Sequence, residues 1–215
     1  MSNEPIDFKL YLITDRHLFA RYSARGTQHF FEAIEEALKG GVQAVQLREK
    51  DLETRSLLSM AYSLRELTSG YGAKLFINDR VDVAMAVDAD GVHLGGSSMP
   101  AFAARRASGE GMLIGASAHS LPEAKKAEEE GADFVTLGPV FATQSKLKYG
   151  KPLGLGLLRE VSAALSIPVF AIGGIRKERV KDTLESGGAG IALISAILGS
   201  EDIQSNTEEL MRLLK

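Results

Sequence analysis

Short apolar segments alternate with amphipathic segments along the whole chain. The apolar segments are three to six residues long, which predicts strands buried on both faces. The amphipathic segments repeat apolar residues at helical spacing: Phe30, Ile34, Ala37 and Leu38; then Leu57, Met60, Ala61, Leu64 and Leu67; and Ala124 and Ala127 within 121–130. The predicted strands are Lys9–Thr14, Ala44–Leu47, Lys74–Ile77, Gly91–His93, Leu113–Ala116, Phe134–Leu137, Val169–Ile172 and Gly190–Ile194.

The joins between these segments follow one pattern. LKGGVQAVQL, EEGADFVTL and LESGGAGIAL each read as the end of a helix, a glycine C-cap and a buried strand. Strands and helices that alternate in this way form a parallel sheet covered by helices. Eight units of about 25 residues predict an α/β fold, a (β/α)8 TIM barrel with a single domain over residues 1–215. A doubly wound open sheet is the alternative, although no Gly-x-Gly-x-x-Gly follows an early strand.

Composition narrows the class of protein. Of 215 residues 45% are hydrophobic and the net charge is −3, which suits one compact domain and not a nucleic-acid-binding surface. The lack of cysteine excludes thiolate catalysis and suits a reducing compartment. The N-terminal MSNEPIDFK has no apolar signal segment, and no apolar run approaches the roughly 18 residues of a membrane span. We therefore expect a cytoplasmic protein that binds neither nucleic acid nor membrane.

Polar or glycine-rich residues follow seven of the eight predicted strands. In a (β/α)8 barrel the carboxyl ends of the strands form the active site, so we expect these residues around one pocket. In chain order they are Gln46, Arg48, Glu49 and Lys50; Asn78, Asp79 and Arg80; His93 with Gly95, Gly96, Ser97 and Ser98; Ser117 and His119; Thr143, Gln144, Ser145 and Lys146; Gly173 and Gly174; and Ile194, Ser195 and Ala196.

The cations after the second strand suggest a diphosphate site. Arg48 and Lys50 are two positions apart, so both can face the same way. Together with Thr143, Ser145 and Lys146 they would offset the charges of a diphosphate. The alternative is that QLREKD is only a solvated charged loop.

The last two strand ends suggest a second anion site. IGGI at 172–175 and LISAI at 193–197 place Gly173, Gly174, Ile194 and Ser195 where backbone N–H groups can approach a phosphate. The alternative is that the glycines only make a tight bend.

Asp79 is the predicted metal ligand, because Mg²⁺ serving a diphosphate usually takes one or two carboxylates plus phosphate oxygens. Alternatively, Asp79 caps the helix that begins RVDVAMAV. We interpret Asp15 and Asp51 as loop residues, and the polar stretch Thr14–Thr27 as a long first loop that can act as a flap.

The four histidines divide into three groups. His93 lies on a buried strand and is interpreted as a core residue. His119 is a candidate acid or base near neutral pH, or equally a cap of the helix that begins at Ser120. His17 and His29 show no clustering typical of a ligand set, and we interpret them as surface residues.

Six motifs, in order and at matching spacing, resemble the thiamine phosphate synthase family: VQLREK (45–50), INDR (77–80), DGVHLG (90–95), GPVFATQSK (138–146), AIGGI (171–175) and ISAI (194–197). The resemblance covers nearly the whole chain. It implies a (β/α)8 enzyme that joins 4-amino-5-hydroxymethyl-2-methylpyrimidine diphosphate to thiazole phosphate, giving thiamine phosphate and pyrophosphate.

The resemblance also implies roles for individual residues. Arg48, Lys50, Asn78, Thr143, Ser145 and Lys146 would hold the diphosphate, Gln46 and Ser117 would contact the pyrimidine, and Gly174 and Ser195 the thiazole phosphate. The family's reaction is dissociative, so it needs neutralisation of leaving-group charge and exclusion of water more than a strong base.

One position departs from the family pattern. Ser98 stands where the family usually has an Asp that is the second Mg²⁺ ligand, so Mg²⁺ binding is expected to be weakened or lost. A related family, thiazole tautomerase, shares the barrel, lacks the metal and uses a His at the position of His119 as its proton carrier. Nearly all of the residues expected to bind the diphosphate are present, which favours the synthase. The loop with Ser98 leaves the tautomerase as an alternative.

A third reading is a non-catalytic barrel that binds a phosphorylated thiazole. It would keep Gly174 and Ser195 but would need neither Lys50 nor Lys146, so their presence counts against it. Barrels of this kind often associate through their outer helices, and the sequence is compatible with a homo-oligomer.

Overall fold

The protein is a closed barrel of eight parallel strands. The computed structural model describes residues 6–19, 26–143 and 151–215. Each strand pairs with its neighbours in chain order, and β8 pairs with β1 to close the sheet. The strands are β1 Leu10–Ile13, β2 Ala44–Leu47, β3 Lys74–Asn78, β4 Gly91–Leu94, β5 Leu113–Ala118, β6 Phe134–Leu137, β7 Val169–Ile172 and β8 Gly190–Leu193. The (β/α)8 prediction is confirmed, and the alternative of an open doubly wound sheet is wrong.

Helices follow the strands and cover the outside of the barrel. Within the described residues they are α1 Gly26–Lys39, α2 Thr54–Gly70, α3 Val81–Ala86, α4 Ala101–Ser108, α5 Leu121–Glu129, α6 Gly154–Ala164, α7 Lys177–Glu185, α8 Ser195–Leu198 and α9 Ile203–Leu213. In α1 the predicted apolar face is the buried one, since Phe30, Ile34, Ala37 and Leu38 all lie inside. No helix in these ranges is both long and apolar enough to cross a membrane.

Two strand boundaries differ from the predictions in ways that affect the site. β5 continues to Ala118 because Ser117 and Ala118 pair with Thr136 and Leu137 of β6. Ser117 is therefore a strand residue and not a loop residue. β1 ends at Ile13, and the fully buried Thr14 instead donates its backbone N–H to the Gln46 carbonyl oxygen at 2.9 Å.

Five aromatic rings fill the amino-terminal half of the barrel. The Phe8 ring, just before β1, lies 5.1 to 5.7 Å from the other four ring centroids, those of Tyr11, Phe76, Phe134 and Phe170. Aromatic contacts at such spacing add to the stability gained from burying apolar area. The rings close this end of the barrel and leave the carboxyl end for a ligand.

Glycines beside three of these rings make room for them. Gly91, Gly115 and Gly190 are the register partners of Phe76, Phe134 and Phe170 on the adjacent strands. A Cβ atom on any of them would lie within 2.3 to 2.6 Å of the partner ring. Because glycine has no side chain, each of these positions leaves room for the ring on the adjacent strand, so that three rings fit inside a barrel of only eight strands.

Candidate active site

A layer of polar side chains crosses the barrel on the carboxyl side of the aromatic rings. Gln46 donates from Nε2 to the Tyr11 hydroxyl at 3.0 Å, and that hydroxyl lies 3.4 Å from Nδ1 of His93. The other nitrogen of His93, Nε2, lies 3.0 Å from Ser117 Oγ and 3.3 Å from Thr136 Oγ1. These five residues form a connected hydrogen-bonded layer, which we call the polar floor.

His93 is the centre of the polar floor, and it is neutral. It is 3% exposed, and burial lowers the pKa of its imidazole to about 3. The charge of Asp79 opposes this shift and the charge of Arg48 adds to it. The interpretation of His93 as a hydrogen-bonded core residue is confirmed.

The sequence analysis did not single out Tyr11 or Thr136 as polar-floor residues. Thr136 lies two positions after Phe134, so strand alternation places both on the inner face once one of them is known to point inward. Tyr11 reaches the same layer through its long side chain, and only the closed barrel brings it to His93.

Asp79 lies at the carboxyl end of β3 in an uncommon backbone conformation, with φ of 61°. Its Oδ1 accepts hydrogen bonds from the Ser98 hydroxyl and, at 3.2 Å, from the Gly95 N–H. Its Oδ2 accepts one from Asn78 Nδ2 at 2.7 Å. The N-cap residue of α3 is Arg80, without a side-chain cap bond, so the alternative that Asp79 caps this helix is wrong.

Lys50 and Asp79 meet at the same mouth of the barrel, where Nζ lies 3.8 Å from Oδ2. Burial of the Asp79 carboxyl raises its pKa, but the hydrogen bonds from Ser98 and Gly95 and the charge of Lys50 outweigh burial. The net pKa of Asp79 is therefore lowered, and the group is an anion at neutral pH.

The pair of Asp79 and Ser98 is the candidate Mg²⁺ position. Mg²⁺ takes oxygen ligands, retains several waters, and commonly uses one or two carboxylates together with substrate phosphates. An ionised carboxylate that is 33% exposed, next to a hydroxyl, meets this need once phosphate oxygens are added. Because the Lys50 ammonium shares the carboxylate, binding of the metal without phosphate is less favourable.

A second group of three ligand-type side chains lies at the ends of β1 and β2. Ligand atoms of Asp15, His17 and Glu49 lie within 4.8 Å of one another, so the interpretation of His17 as unclustered is wrong, although its side chain is exposed. Glu49 already accepts hydrogen bonds from Thr14 and Arg16. With a guanidinium in contact with its buried carboxylate, this group is less suited to a cation than Asp79 is.

The turn after β2 is more than a solvated charged loop. Glu49 is 4% exposed and bound to β1–α1 residues, whereas Arg48 is half-buried and Lys50 is exposed. Lys50 contacts Asp79, and the charges of Arg48 and Asp79 both act on His93. The two cations predicted to bind diphosphate therefore lie at the same side of the barrel as the candidate metal position.

The loop after β6 packs onto the glycines after β7. Val140 and Phe141 donate backbone N–H groups to the carbonyl oxygens of Ile172 and Gly173 at 2.9 and 3.1 Å. Gly174 has φ of 65°, and a Cβ atom there would lie 2.5 Å from the Ala142 carbonyl oxygen. This packing accounts for the glycine at position 174 and holds the loop as far as Ala142 against the end of β7 and the glycines after it. Thr143 is the last described residue of the loop. The predicted ligands Ser145 and Lys146, with Gln144, lie outside the described residues.

The predicted turn after β8 contains a short helix. Ile194 is the N-cap of α8, and Ser195 is its first residue. Both lie at the carboxyl end of β8, as expected, so their N–H groups are on the face of the barrel that holds Asp79.

His119 lies directly after β5 and is bound to α5. Its backbone N–H and its Nδ1 are 2.8 and 3.2 Å from Oε2 of Glu123, and Ser120 accepts the Glu123 N–H as the N-cap. The imidazole is half exposed. A role in organising the start of α5 accounts for these contacts, and a catalytic role for His119 stays a prediction.

Comparison with known proteins identifies the family of this barrel. Residues 10–197 match the family model described as thiamine monophosphate synthase. The thiamine-phosphate synthase of Clostridium novyi is 46% identical over 205 residues, which covers 95% of this chain and 98% of the relative. That of Chloroflexus aurantiacus is 44% identical over 209 residues, which covers 97% and 94%.

A solved structure agrees with both. Thiamine phosphate pyrophosphorylase from Pyrococcus furiosus superposes with a TM-score of 0.85 at 43% identity, covering 96% of this chain and 95% of that one. The agreement of the family model, the relatives and the solved fold over nearly the full length shows that this chain belongs to the thiamine monophosphate synthase family.

Proposed function

We propose that this protein is a thiamine-phosphate synthase, a transferase that joins 4-amino-5-hydroxymethyl-2-methylpyrimidine diphosphate to thiazole phosphate and releases pyrophosphate. Membership of the family supports this activity. The observation that carries the proposal is the position of Asp79, whose backbone N–H donates to the carbonyl oxygen of His93 in the polar floor and whose carboxylate contacts Lys50 at the mouth of the barrel. A neutral hydrogen-bonded layer thus lies directly beside charged side chains, which suits a substrate with an aromatic ring and a diphosphate.

The polar floor is suited to the pyrimidine. Gln46 and Ser117 occupy opposite ends of a chain that passes through Tyr11 and the neutral His93. Fixed donors and acceptors above a wall of aromatic rings can orient an aminopyrimidine without adding charge to the pocket. A neutral floor also leaves a developing cation on the pyrimidine free of repulsion from an imidazolium.

The mouth is suited to the diphosphate. Arg48 and Lys50 in the turn after β2 and Asn78 at the end of β3 would contact it, and Thr143, Ser145 and Lys146 would complete the set from the β6 loop. The cations neutralise the charge that accumulates on the leaving group. Asp79 with Ser98 would hold Mg²⁺ together with the phosphates, and the ion would supply further neutralisation of the diphosphate charge.

The reaction needs no strong base. The bond between the methylene carbon and the diphosphate oxygen breaks with both electrons on the diphosphate, and the lone pair of the thiazole nitrogen then forms the new C–N bond. All atoms of both substrates appear in thiamine phosphate and pyrophosphate, and no proton is removed. The protein's task is to neutralise the leaving group and to exclude water from the intermediate cation.

The thiazole phosphate would lie on the other side of the pocket. Gly173, Gly174, Ile194 and Ser195 are at the ends of β7 and β8, where phosphate sites are common in this fold. Small phosphorylated substrates of this kind fit the predicted cytoplasmic location.

The alternative, a thiazole tautomerase, has one observation in its favour, the serine at position 98. His119, which would carry the proton, is paired with Glu123 at the start of α5. His119→Ala should therefore leave synthase turnover nearly unchanged, whereas a tautomerase would lose its activity.

The deciding experiment uses the purified full chain and both synthase substrates, with Mg²⁺ or with a chelator, and detects thiamine phosphate by mass spectrometry. We expect product that depends on Mg²⁺ and on both substrates. Lys146→Ala should remove about 3 kcal/mol of transition-state stabilisation, the scale of a lost charge-stabilising donor, and turnover should fall accordingly. A chain that makes no thiamine phosphate with either metal condition would overturn the proposal.

A further inference from the structure

Glu49 is a buried carboxylate that the proposed reaction does not use. Its side chain is 1% exposed, although it lies between Arg48 and Lys50 in a turn at the mouth of the barrel. An ionisable group at such depth is costly unless hydrogen bonds and charges compensate for the loss of water. Its partners therefore indicate what its burial accomplishes.

The hydroxyl of Thr14 connects Glu49 to the backbone of Arg48. Thr14 Oγ1 accepts the Arg48 N–H at 3.0 Å and donates to Oε1 of Glu49 at 2.7 Å. Thr14 is fully buried, and its own N–H donates to the Gln46 carbonyl oxygen at 2.9 Å. Thr14, the residue directly after β1, thus holds β2 and its turn at three points: the Gln46 carbonyl oxygen, the Arg48 N–H and the Glu49 carboxylate.

Both carboxylate oxygens of Glu49 also contact Arg16. The Arg16 N–H donates to Oε1 at 3.0 Å, and its guanidinium lies 3.4 Å from Oε2. The same guanidinium makes two bonds of 2.7 Å to the exposed carboxylate of Asp51. Glu49 therefore joins the start of the β1–α1 connection to the β2 turn.

The two neighbours of Glu49 face other partners. Lys50 reaches Asp79 on β3, and Arg48 acts electrostatically on His93 inside the barrel. Fixing the backbone at residues 48 and 49 from the β1 side restricts where both cations can lie. Such restriction lowers the entropy cost of gathering them around an anion.

We propose that Thr14 and Glu49 are positioning residues that hold Arg48 and Lys50 in place to receive the diphosphate. This inference rests on the proposed function, because it takes the diphosphate as the ligand of the two cations. Neither Thr14 nor Glu49 contacts the substrate in this proposal. Their effect passes through the backbone N–H of Arg48 and the short turn that carries Lys50.

The test compares Thr14→Val with Thr14→Ser in the full-length protein. Valine keeps the shape of threonine but removes the hydroxyl that bridges Arg48 and Glu49, whereas serine keeps it. We expect Thr14→Val to weaken binding of inorganic pyrophosphate by about tenfold, the scale of one or two net hydrogen bonds. We expect kcat/KM for the pyrimidine diphosphate to fall with it, and KM for thiazole phosphate to stay near the wild-type value. Thr14→Ser should restore both quantities.

Two further variants separate positioning from simple stability. Glu49→Gln, which keeps the size but removes the charge, should behave like Thr14→Val and replaces it if the valine variant fails to fold. Asp51→Asn breaks the exposed contacts of Asp51 with Arg16 and His17 but leaves Glu49 intact, and it should change pyrophosphate affinity by less than about twofold, because exposed pairs contribute little. Melting temperatures confirm that every variant is folded at the assay temperature.

The proposal is overturned if folded Thr14→Val and Glu49→Gln bind pyrophosphate as the wild type does. It is also overturned if both substrates lose affinity equally, which would indicate general loosening of the fold. These results are distinct from failure of the proposed function, since in that case the wild-type protein itself would make no thiamine phosphate.

Discussion

The hydroxyl of Ser98 donates a hydrogen bond to Oδ1 of Asp79, and its Oγ also accepts the Gly95 N–H at 2.6 Å. A neutral side chain thus occupies the place next to the candidate metal ligand. Because serine supplies no charge, the site offers Mg²⁺ one carboxylate, and the diphosphate must supply much of the remaining negative charge.

Ser98→Asp should reduce the Mg²⁺ concentration that gives half-maximal activity by about tenfold, a typical scale for changing a group that supports a metal ligand. The added carboxylate supplies a second anionic ligand beside Asp79. Without Mg²⁺ the same variant should be less stable by about 1 kcal/mol, since two carboxylates then repel each other. Magnesium titrations of activity, and urea unfolding with and without Mg²⁺, measure both effects.

The control for this change is Ser98→Ala, which removes the hydroxyl without adding charge. It should leave the Mg²⁺ requirement equal to or higher than that of the wild type. If Ser98→Asp also fails to lower the requirement, Asp79 and position 98 do not share an ion.

Lys50→Ala should lower kcat by roughly 10²-fold, because a charge-stabilising donor at the leaving group is lost. Its effect on stability should be small, since Lys50 is 53% exposed and contacts Asp79 at 3.8 Å. Lys126→Ala is the matched control, an exposed lysine on α5 with a similar pairing to Glu130. Steady-state rates of pyrophosphate release measure the difference, and equal rates for the two variants would exclude Lys50 from the diphosphate site.

Most of the fold could be predicted from local sequence. The apolar strands repeat eight times, three of the joins carry a glycine C-cap pattern, and β2, β6 and β7 begin and end where the pattern places them. The differences arise where pairing with a neighbour extends or shortens a strand. β5 continues through Ser117 because β6 offers partners there, which periodicity within β5 alone cannot indicate.

The candidate site could be predicted less completely. The sequence identifies Asp79 and Lys50 as site residues because each directly follows or lies close after a strand. A residue there lies at the carboxyl end of the barrel whatever the register of the strands. The links from Tyr11 to His93 and from Thr14 to Glu49 join residues 82 and 35 positions apart, so they depend on closure of the barrel and on register. The burial of Glu49 within a highly charged motif follows only from the way the β1 end packs against β2.

The buried His93 should make stability depend on pH. Burial lowers the pKa of the folded-state imidazole to about 3, whereas the unfolded chain has a histidine pKa near 6.5. Between these values the unfolded state binds a proton that the folded state does not, so the free energy of unfolding falls as pH falls from about 6.5 towards 3, by roughly 1 kcal/mol per pH unit. His93→Gln should show a shallower slope in urea unfolding between pH 7 and 4. Parallel slopes for the two proteins would mean that His93 takes up a proton as readily in the folded state as in the unfolded state.

Gly115→Ala should disturb the core and the polar floor together. A methyl group at this position would lie 2.4 Å from Cζ of Phe134 and 2.6 Å from Nδ1 of His93, so both rings must move. We expect a loss of about 1 to 3 kcal/mol in the free energy of unfolding, typical of overpacking, and weaker pyrimidine binding as His93 shifts away from Ser117. Gly111→Ala is the matched control, since a Cβ atom there has no neighbour within 4 Å among the described residues.

Adding Phe134→Leu to Gly115→Ala should recover part of the stability, because the smaller side chain vacates the space that the methyl group needs. Urea unfolding of the wild type and these three variants measures the changes, and a Gly115→Ala protein as stable as Gly111→Ala would contradict the tight packing of glycine against the phenylalanine ring.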